Sequence, residues 1–446
     1  MTKLSNHTTR CSRDRSGWTT LAPGWRPAPS IVERGRAPDR RRCPAARLRR
    51  GEYMGREARG GRTPRRVVVL TTWFPSDDRP TQAPFNLRHA EAIGDVAEVR
   101  VLHVRFGATG RAADEVYHGV RVRRLPLSAR HPLTALATLA AVRRAVRSSD
   151  VVHTMAFSSI GVLLAAAPFG RTPWVHTEHW SGVAHPEYVS PRWRRLAWLR
   201  GVLRAPARLT AVSRQLADVL VRFSSAERVS VVPCVVENPE PVSAPPASPP
   251  LELVSVGGIV EGKQPLVAVR TLRWLADQGV DARLTWVGDG PMRAEMEREA
   301  GDLQVADRVR ITGFVDPDDV FGYYARARVF FGPTRSETFF AAAAEALSAG
   351  RPVVAADVGG FTDYVSEANG VIVDELSPAS FGSGILLAAE RFEDVPPERI
   401  ATPIRSRFSR SAIAGSFDAV YRAAEADPAA PYAFRLLAVG RSRRPA

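Results

Sequence analysis

The most constraining feature of this 446-residue sequence is a regular alternation between short apolar runs and longer amphipathic stretches. From Val67 onward the apolar runs are rich in Val, Leu and Thr; they include RRVVVLTTWF, EVRVLHV, DVVHTM, TPWVHT and ARLTAVS. Helical patterns such as FNLRHAEAIGD and LTALATLAAVRRAVRS separate them. Continuous apolar runs of this length are typical of parallel strands whose two sheet faces are covered by helices. The sequence therefore predicts an α/β fold built on parallel sheets.

A proline-rich segment divides this alternation into two halves. It reads ENPEPVSAPPASPP, with six prolines in fourteen residues, and is typical of an extended, semi-rigid linker. After it the pattern restarts with LELVSVG, ARLTWVG, VRITGFV, ARVFFGP and RPVVAAD. We predict two βα-repeating domains that face each other across a cleft, which is the default place for a binding site. The predicted order is a first domain over 67–236, a linker over 237–250, a second domain over 251–408, a further helix over 409–427 and a tail over 428–446.

Net charge is the feature that most suggests a nucleic-acid partner. The formal charge is +16, but residues 1–66 hold 18 Lys and Arg against five Asp and Glu, so the remaining chain carries only +3. We predict that 1–66 is a disordered basic leader, because its composition cannot bury enough apolar surface to offset the entropy of ordering. A nucleic-acid-binding arm and non-native translated sequence upstream of a later start at Met54 are the open alternatives for it. Since the two predicted domains are nearly neutral, no nucleic-acid partner is expected for them.

Cysteine content and hydropathy bear on the cellular compartment. Cys11 and Cys43 lie in the leader and Cys234 stands alone in the first domain, so neither a disulfide framework nor a cysteine metal cluster is expected. No apolar signal-peptide core begins the chain, and the longest uncharged stretch, 155–170, is too short to span a bilayer. The expected location is the cytoplasm.

The segment 191–204 leaves two interpretations open. It reads PRWRRLAWLRGVLR and combines five Arg with Trp193 and Trp198. A basic amphipathic helix of this kind would contact anionic lipid at the inner face of the plasma membrane. The alternative is an ordinary surface helix whose Arg stems cover apolar surface.

The turns that follow strands are the first places to look for chemistry, because ligands of doubly wound sheets bind beyond the carboxyl ends of the strands. The turn VGGIVEGKQPL carries Gly257, Gly258 and Lys263, and Pro265 follows at a predicted helix start. A cation there opposes the helix dipole by roughly 0.3–1 kcal/mol unless an anion lies between them. An anion site and a solvated surface lysine both remain open, and the GxGxxG spacing of dinucleotide sites is absent.

The strongest local signal is GPTRSETFFAAAAEALSAGRPVVAADVGG. It predicts a buried helix over 338–349 with Ser336 as its N-cap and Glu337 in its first turn. Glu345 lies in the middle of this helix, and a buried carboxylate needs hydrogen-bond donors. Hydroxyls of a bound sugar or a structural Arg would both serve. If both glutamates are helical they lie ~12 Å apart along the axis, so they would contact different parts of one elongated ligand.

At these residues the sequence resembles the retaining glycosyltransferases of family 4. The family signature is a Glu, seven residues and a second Glu, which Glu337 and Glu345 match, and the likeness extends in the expected order over residues 67–427. Its other segments are WFPSDDRPTQAPFNLRHAEAI, DVVHTM, PWVHTEHWSG, LTAVSRQL, SVVPCVVE, VGGIVEGK, VGDGP, ITGFVDPDDV and FDAVY. The resemblance implies the GT-B fold, in which two Rossmann-like domains face across a cleft and the C-terminal helix crosses back onto the first domain.

The resemblance also implies an activity. A sugar would pass from a UDP- or GDP-linked donor to an acceptor hydroxyl with retention of the anomeric configuration, in cell-envelope polysaccharide, glycolipid or secondary-metabolite biosynthesis. The acceptor would be a saccharide, a lipid-linked compound or a small molecule. Neither a cofactor nor a metal is expected, because helix N-termini and basic residues would carry the leaving-group charge. A GT-B sugar-nucleotide epimerase and a catalytically degenerate sugar-nucleotide-binding protein are the alternatives.

Carried over residue by residue, the resemblance assigns three catalytic residues. Lys263 would neutralise the donor diphosphate, Glu337 would hold hydroxyls of the donor sugar, and His179 would lie across the cleft beside donor and acceptor. Glu345 would bind the ribose hydroxyls. The residues expected to bind the donor are Glu345, Gly257, Gly258, Lys263, Thr338, Phe339, Gly313 and Val315, the base stacking near Gly313–Val315.

Four positions depart from the family pattern. Ala83 and Phe340 stand where Gly is common. Gly258 stands where the family usually has a phosphate-binding Arg, and Cys234 stands where Asn is usual. Diphosphate binding would therefore depend more heavily on Lys263.

Overall fold

The computed structural model describes residues 64–236, 241–427 and 431–438. The prediction of a disordered leader lies outside the described residues except at its end, where the first strand already begins at Arg66 rather than at Val67. Arg65, also assigned to the leader, forms ion pairs with Asp418 and Glu425 near the far end of the chain. The ordered body therefore begins before the boundary that the sequence predicts.

The first domain is built on an eight-stranded sheet. Its strands are β1 (Arg66–Thr71), β2 (Glu98–Phe106), β3 (Ala113–Tyr117), β4 (Val120–Leu127), β5 (Val151–Met155), β6 (Trp174–Glu178), β7 (Arg208–Ala211) and β8 (Val229–Val231). They lie in the order β3-β4-β2-β1-β5-β6-β7-β8, and all neighbours are parallel except the hairpin of β3 and β4. The central strands β5 and β6 are buried along their whole length, as expected for parallel strands whose two sheet faces are covered. The β3–β4 hairpin and β8 are not predicted from the sequence.

Helices cover both faces of this sheet. They are α1 (Pro84–Gly94), α2 (Pro132–Arg147), α3 (Phe157–Ala166), α4 (Ser181–Ala184), α5 (Pro191–Leu196) and α6 (Arg214–Val221). Proline at the first helical position begins α1, α2 and α5, where its missing N–H costs nothing. The Ser213 hydroxyl caps α6 by accepting a hydrogen bond from the Leu216 amide.

The second domain repeats the design with a six-stranded, fully parallel sheet. Its strands are β9 (Leu251–Val256), β10 (Ala282–Val287), β11 (Val309–Ile311), β12 (Val329–Gly332), β13 (Val353–Ala356) and β14 (Gly370–Val373), in the order β11-β10-β9-β12-β13-β14. Its helices are α7 (Pro265–Asp277), α8 (Arg293–Asp302), α9 (Val320–Ala325), α10 (Ala341–Ser348), α11 (Pro378–Arg391) and α12 (Pro397–Phe408). The predicted α/β architecture of two parallel sheets is confirmed.

The chain then returns to the first domain, as the GT-B expectation requires. Helix α13 (Arg410–Ala426) packs against α1, and its Arg410 guanidinium donates to both carboxylate oxygens of Asp95 at 2.8 and 2.9 Å. Phe417 of α13 is buried against the ring of His89, with 5.0 Å between the ring centroids. The predicted crossing helix is confirmed.

The prediction of a tail over 428–446 is wrong for its central part. Residues Tyr432–Ala438 form helix α14, and Tyr432 is almost fully buried. Its ring lies 5.0 Å from that of Trp174, and its hydroxyl donates to the Thr172 carbonyl at 2.8 Å. A helix of only seven residues gives little periodic signal in the sequence, whereas its Tyr432 side chain packs against the first domain.

None of the described helices combines the length and the apolar character that crossing a bilayer requires.

Candidate active site

A pocket of about 320 Å³ lies between the two domains. Helix α1 and the end of the first domain form one wall, and the turns after the second-domain strands form the other. The lining residues are Pro80, Thr81, Pro84, Phe85, Arg88, Cys234, Val235, Val256, Gly257, Gly258, Val287, Gly288, Phe314, Val315, Pro317, Val320, Phe321, Ala341 and Glu345. The expected donor-binding residues Gly257, Gly258, Val315 and Glu345 are therefore brought together in one place.

Helix α10 begins later than the sequence predicts. It starts at Ala341, so Ser336 is not its N-cap, and Glu337, Thr338 and Phe339 precede the helix. The reason is tertiary, because the loop before α10 packs directly on the turn after β13. The Gly360 amide donates to the Thr338 carbonyl at 3.0 Å, and a Cβ on Gly359 would lie only 1.7 Å from the Glu337 carbonyl oxygen. The estimate of helical spacing between the two glutamates is therefore wrong.

Glu345 is held by two donors of this chain. Arg88 Nη1 of the first domain donates to Glu345 Oε1 at 2.9 Å, and the Tyr324 hydroxyl donates to Oε2 at 3.1 Å. Burial raises the pKa of Tyr324 well above its usual value, and the Glu345 charge acts in the same direction, so this hydroxyl remains a donor. Of the two partners that the sequence left open for Glu345, the structure contains the arginine.

Lys263 and Glu337 are joined in an ion pair. Lys263 closes a 3₁₀ turn over Glu261–Lys263 after β9, and its ammonium group contacts a carboxylate oxygen of Glu337. The Thr334 hydroxyl donates to the same oxygen at 3.3 Å. The two residues that the resemblance assigns to diphosphate and to sugar hydroxyls are thus neighbours, and each supplies a charge that can turn toward a bound ligand.

Glycine shapes the wall between this ion pair and the pocket. Gly257 has φ 138°, a region that favours glycine, and a Cβ there would lie 3.4 Å from Cε of Lys263. Gly288 approaches so closely that a Cβ would lie 2.2 Å from the Gly257 carbonyl oxygen. Gly288 also pairs with Gly313 in an isolated antiparallel bridge, which places Val315 at the pocket.

Phe339 does not present its side chain to the pocket. It is buried, with its ring 5.3 Å from the rings of both Tyr364 and Phe408. The Tyr364 hydroxyl donates to the carbonyl oxygens of Phe339 and Phe340, at 2.8 Å each. A donor-binding role of Phe339 would therefore rest on its backbone.

His179 follows β6 and is nearly buried, at 7% exposure. Its ring lies 4.5 Å from that of Phe85, a pocket residue, and 5.1 Å from that of His89. Within the described part of the chain, its buried Nε2 atom has no hydrogen-bond partner. Burial lowers the pKa of His179 well below its usual value, with the neighbouring histidines acting in the same direction, so the ring is neutral near pH 7. An unsatisfied buried nitrogen beside the pocket is what a ligand group would pair with.

Glu178 is a buried carboxylate beside His179 that the sequence analysis does not single out. It is fully buried, and one carboxylate oxygen accepts the backbone N–H groups of His179 and Trp180 at 2.9 Å each. This contact fixes the turn that carries His179. Arg88 and Tyr324 are missed in the same way, although Arg88 lies in the quoted segment FNLRHAEAI; only tertiary contact shows that it reaches Glu345.

In the ranges that the structure describes, no group of three or more His, Cys, Asp or Glu side chains is placed to hold a metal ion. Burial raises the pKa of Cys234 at the pocket to about 12, so this thiol is protonated at neutral pH.

Comparison with known proteins decides the family. A sequence model described as Glycosyltransferase Family 4 matches residues 56–238, and one described as Glycosyl transferases group 1 matches residues 250–390. A 2-deoxystreptamine glucosyltransferase of Streptomyces kanamyceticus is 31% identical over an alignment of 318 residues that covers 63% of this chain and 82% of that protein. The chain belongs to glycosyltransferase family 4.

Two further proteins extend the comparison of this family 4 glycosyltransferase. A D-inositol 3-phosphate glycosyltransferase of Xylanimonas cellulosilytica is 31% identical over 367 residues, covering 74% of this chain and 84% of that protein. The crystal structure of Anabaena HepE in complex with UDP and glucose matches with a TM-score of 0.64 at 16% identity, over 80% of this chain and 99% of that chain. The GT-B fold is shared.

Two departures of this glycosyltransferase from the family pattern have a common geometry. Ala83 and Phe340 stand where the family commonly has Gly, and both have positive φ, at 52° and 63°. Each immediately precedes a helix that borders the pocket, α1 and α10 respectively. The backbone thus keeps the conformation that glycine favours, although the side chains differ.

Proposed function

We propose that this family 4 glycosyltransferase transfers a sugar from a UDP- or GDP-linked donor to an acceptor hydroxyl, with retention and without a resident metal or cofactor. The observation that carries the proposal is the interdomain pocket, in which Glu345 and the glycine wall of Gly257 and Gly258 adjoin the Lys263–Glu337 pair. A pocket of about 320 Å³ falls within the range of small-molecule sites.

The donor would lie along this wall. Carboxylate lone pairs of Glu345 that Arg88 and Tyr324 leave unused would accept the ribose hydroxyls. Lys263 would turn from Glu337 toward the diphosphate, and backbone amides around Thr338 and Phe339 would support the developing negative charge. Released from that ion pair, Glu337 would accept hydroxyls of the donor sugar.

The acceptor would approach from the His179 side of the pocket. The neutral His179 ring would pair its Nε2 atom with a sugar or acceptor hydroxyl, since burial disfavours its protonation. Retention would follow from front-face displacement, in which a donor phosphate oxygen takes the proton of the attacking hydroxyl. That hydroxyl forms the new bond to the anomeric carbon on the face from which the nucleotide diphosphate leaves.

The names of the relatives support a ring-shaped polyhydroxy acceptor, because one protein is named for 2-deoxystreptamine and another for inositol 3-phosphate. We propose a saccharide, a small cyclic polyol or their lipid-linked forms as acceptor classes. The cytoplasmic location and a peripheral membrane contact through 191–204 stay predictions. In that segment Trp198 is 73% exposed, whereas Trp193 is engaged inside the protein through a 2.7 Å hydrogen bond from its indole N–H to the Gly182 carbonyl.

The first prediction tests the donor site. The protein should release UDP or GDP from a nucleotide sugar, and kcat/KM should fall roughly 100-fold or more in Lys263→Ala and Glu345→Gln, since each removes a charged contact to the donor. Glu367→Gln, which changes an exposed glutamate of the same domain, is the matched control and should leave the rate unchanged. Product anomers read by NMR test retention, and activity after EDTA treatment tests metal independence.

Two outcomes would contradict this proposal. Inversion at the anomeric carbon would refute the mechanism. Nucleotide binding without turnover, over a panel of saccharide and cyclic polyol acceptors, would favour the degenerate binding protein, which Gly258 and Phe340 motivate.

A further inference from the structure

The charged groups of the pocket come from different domains. Among the described residues that line it, Arg88 is the one cation and Glu345 is the one anion. Arg88 belongs to helix α1 of the first domain, whereas Glu345 belongs to α10 of the second, and their side chains are only 19% and 14% exposed. The ion pair therefore crosses the cleft inside the expected nucleotide site.

Stability alone is a weak reason for such a pair. Removing two charges from water costs about as much as their attraction returns, so a buried ion pair adds little net stability. Glu345 also has a second donor in its own domain, the Tyr324 hydroxyl. The carboxylate could thus be held without any contribution from the first domain. A ligand that binds in the pocket would explain why Arg88 is also placed there.

The second-domain wall is short of positive charge. Gly257 and Gly258 supply backbone alone, and a Cβ on Gly258 would meet its nearest atoms at 3.7 Å or more, so the wall is not closed there by a side chain. Lys263 is the cation nearest to Gly257, and it is neutralised by Glu337. A nucleotide diphosphate sugar brings two negative charges, and a single paired lysine does not balance them.

We propose that Arg88 is a donor-binding residue contributed by the first domain, whose guanidinium contacts the phosphate of a nucleoside diphosphate while it holds Glu345 against the ribose. A guanidinium has five N–H donors in a planar fork, so it bonds to a carboxylate and a phosphate together. The nucleotide site is then complete only when the two domains are closed on each other. This inference rests on the proposed function.

The second prediction tests Arg88 with UDP and GDP as probes, binding being measured by calorimetry. Arg88→Ala should weaken UDP or GDP binding about 10- to 100-fold, as expected for a lost charged hydrogen bond. The affinity of Arg88→Ala for the corresponding nucleoside, uridine or guanosine, should be less than threefold weaker than that of the wild-type protein. Arg88→Lys keeps the charge without the fork and should recover part of the affinity. In steady-state assays the donor KM should rise more than kcat falls.

The matched control is Arg214→Ala. Arg214 also lies in the first domain and faces Asp363 of the second, with 3.9 Å between Nε and a carboxylate oxygen, but it does not line the pocket. The Arg214 side chain is 74% exposed. The affinity of Arg214→Ala for UDP or GDP should therefore differ less than twofold from that of the wild-type protein. Equal losses in the two variants, or equal losses of diphosphate and nucleoside binding in Arg88→Ala, would show that Arg88 is only a contact between domains and would overturn the inference.

Failure of the inference and failure of the proposed function are distinguishable. If Lys263→Ala loses UDP or GDP binding while Arg88→Ala keeps it, the function stands and the role of Arg88 is refuted. If the wild-type protein binds neither UDP nor GDP, both the role of Arg88 and the proposed function are refuted. Thermal unfolding of each variant identifies misfolding, and Arg88→Gln, which keeps part of the aliphatic stem and an N–H donor, replaces Arg88→Ala if the latter is unstable.

Discussion

Positive φ at two non-glycine residues is the clearest local strain beside the pocket. Phe340 has φ 63° and ψ 61°, and Ala83 has φ 52° and ψ 56°. Left-handed backbone costs an L-residue about 1 kcal/mol or more. At Phe340 the ring offsets this cost, since it is buried, lies 5.7 Å from the Phe330 ring and has the Lys263 ammonium 5.0 Å from its centroid. A backbone position that suits glycine is thus occupied by Phe340, whose ring packs against Phe330 and Lys263.

The third prediction compares the backbone strain at Phe340 with the packing of its ring. Both Phe340→Ala and Phe340→Gly remove the ring, at a cost of about 3–5 kcal/mol in unfolding free energy. The glycine variant should nevertheless be the more stable by about 1 kcal/mol, because alanine retains the left-handed strain. Denaturant unfolding measures the difference.

Phe331 provides the reference pair for that measurement. It is fully buried in β12 without positive φ, so Phe331→Ala should be more stable than Phe331→Gly. If the order at Phe340 is the same as at Phe331, the strain argument is wrong.

At the scale of elements, short helices are placed by single anchors. Helix α14 has seven residues, too few for stability in isolation, and is held by Tyr432. A Cβ on Gly170 would lie 2.6 Å from the Tyr432 ring, so glycine there makes room for the anchor. The Tyr432 and Ala433 amides also donate to the carbonyl oxygens of Gly170 and Pro168, at 3.1 and 2.9 Å. The end of the described chain is in this way attached to the first domain.

The fourth prediction is that Tyr432→Ala releases α14. Loss of the Tyr432 side chain should lower the free energy of local unfolding of α14 by about 3 kcal/mol. Tyr432→Phe, which removes only the hydrogen bond to Thr172, should lower it by about 1 kcal/mol. Hydrogen exchange of the Tyr432–Ala438 amides reports local opening directly.

Phe434 on the same helix is the control, because its side chain is 56% exposed. Phe434→Ala should change amide protection by less than about 0.5 kcal/mol. Equal effects of the two alanine variants would mean that Tyr432 is not the anchor.

At the scale of the whole molecule, polar and close-packed contacts join the two domains beside the cleft. Arg88 reaches Glu345, and the Arg214 amide donates to the Asp363 carboxylate at 2.7 Å. Gly360 of the second domain packs on Ser213 of the first, so closely that a Cβ on Gly360 would lie 2.3 Å from the Ser213 Cβ. The same Cβ would lie 2.4 Å from the carbonyl oxygen of Thr338, in the loop that carries Glu337. A methyl group on Gly360 would therefore clash with both the first domain and the Thr338 loop.

The fifth prediction is that Gly360→Ala opens the cleft. Contacts under 3.0 Å cannot be kept, so Ser213 and the Thr338 loop must move apart from the turn after β13. Small-angle scattering should show a larger radius of gyration than wild type, and UDP or GDP should bind more weakly. Gly322→Ala, where a Cβ would meet nothing within 4 Å, should match wild type. If Gly360→Ala scattered like the wild-type protein, the contact between Gly360 and Ser213 would not determine closure of the cleft.

The sequence alone predicted the two parallel sheets, the return of the last long helix and the family, because these depend on periodicity and on motifs local in the chain. It also named Glu345, Gly257, Gly258 and Val315, which do line one pocket. The roles of Lys263, Glu337 and His179 remain predictions that the experiments above address.

Only the tertiary structure decided where α10 begins, what pairs with Glu345 and where Tyr432 docks. Each depends on residues far apart in the sequence: Gly360 against Thr338, Arg88 against Glu345, and Tyr432 against Gly170. Residues 338–340 are Thr and Phe, which are weak helix formers, so helix propensity does not oppose the contact with the neighbouring turn that holds them outside α10. A sequence pattern reports what a segment can form, whereas long-range packing decides which of its groups remain available to a ligand.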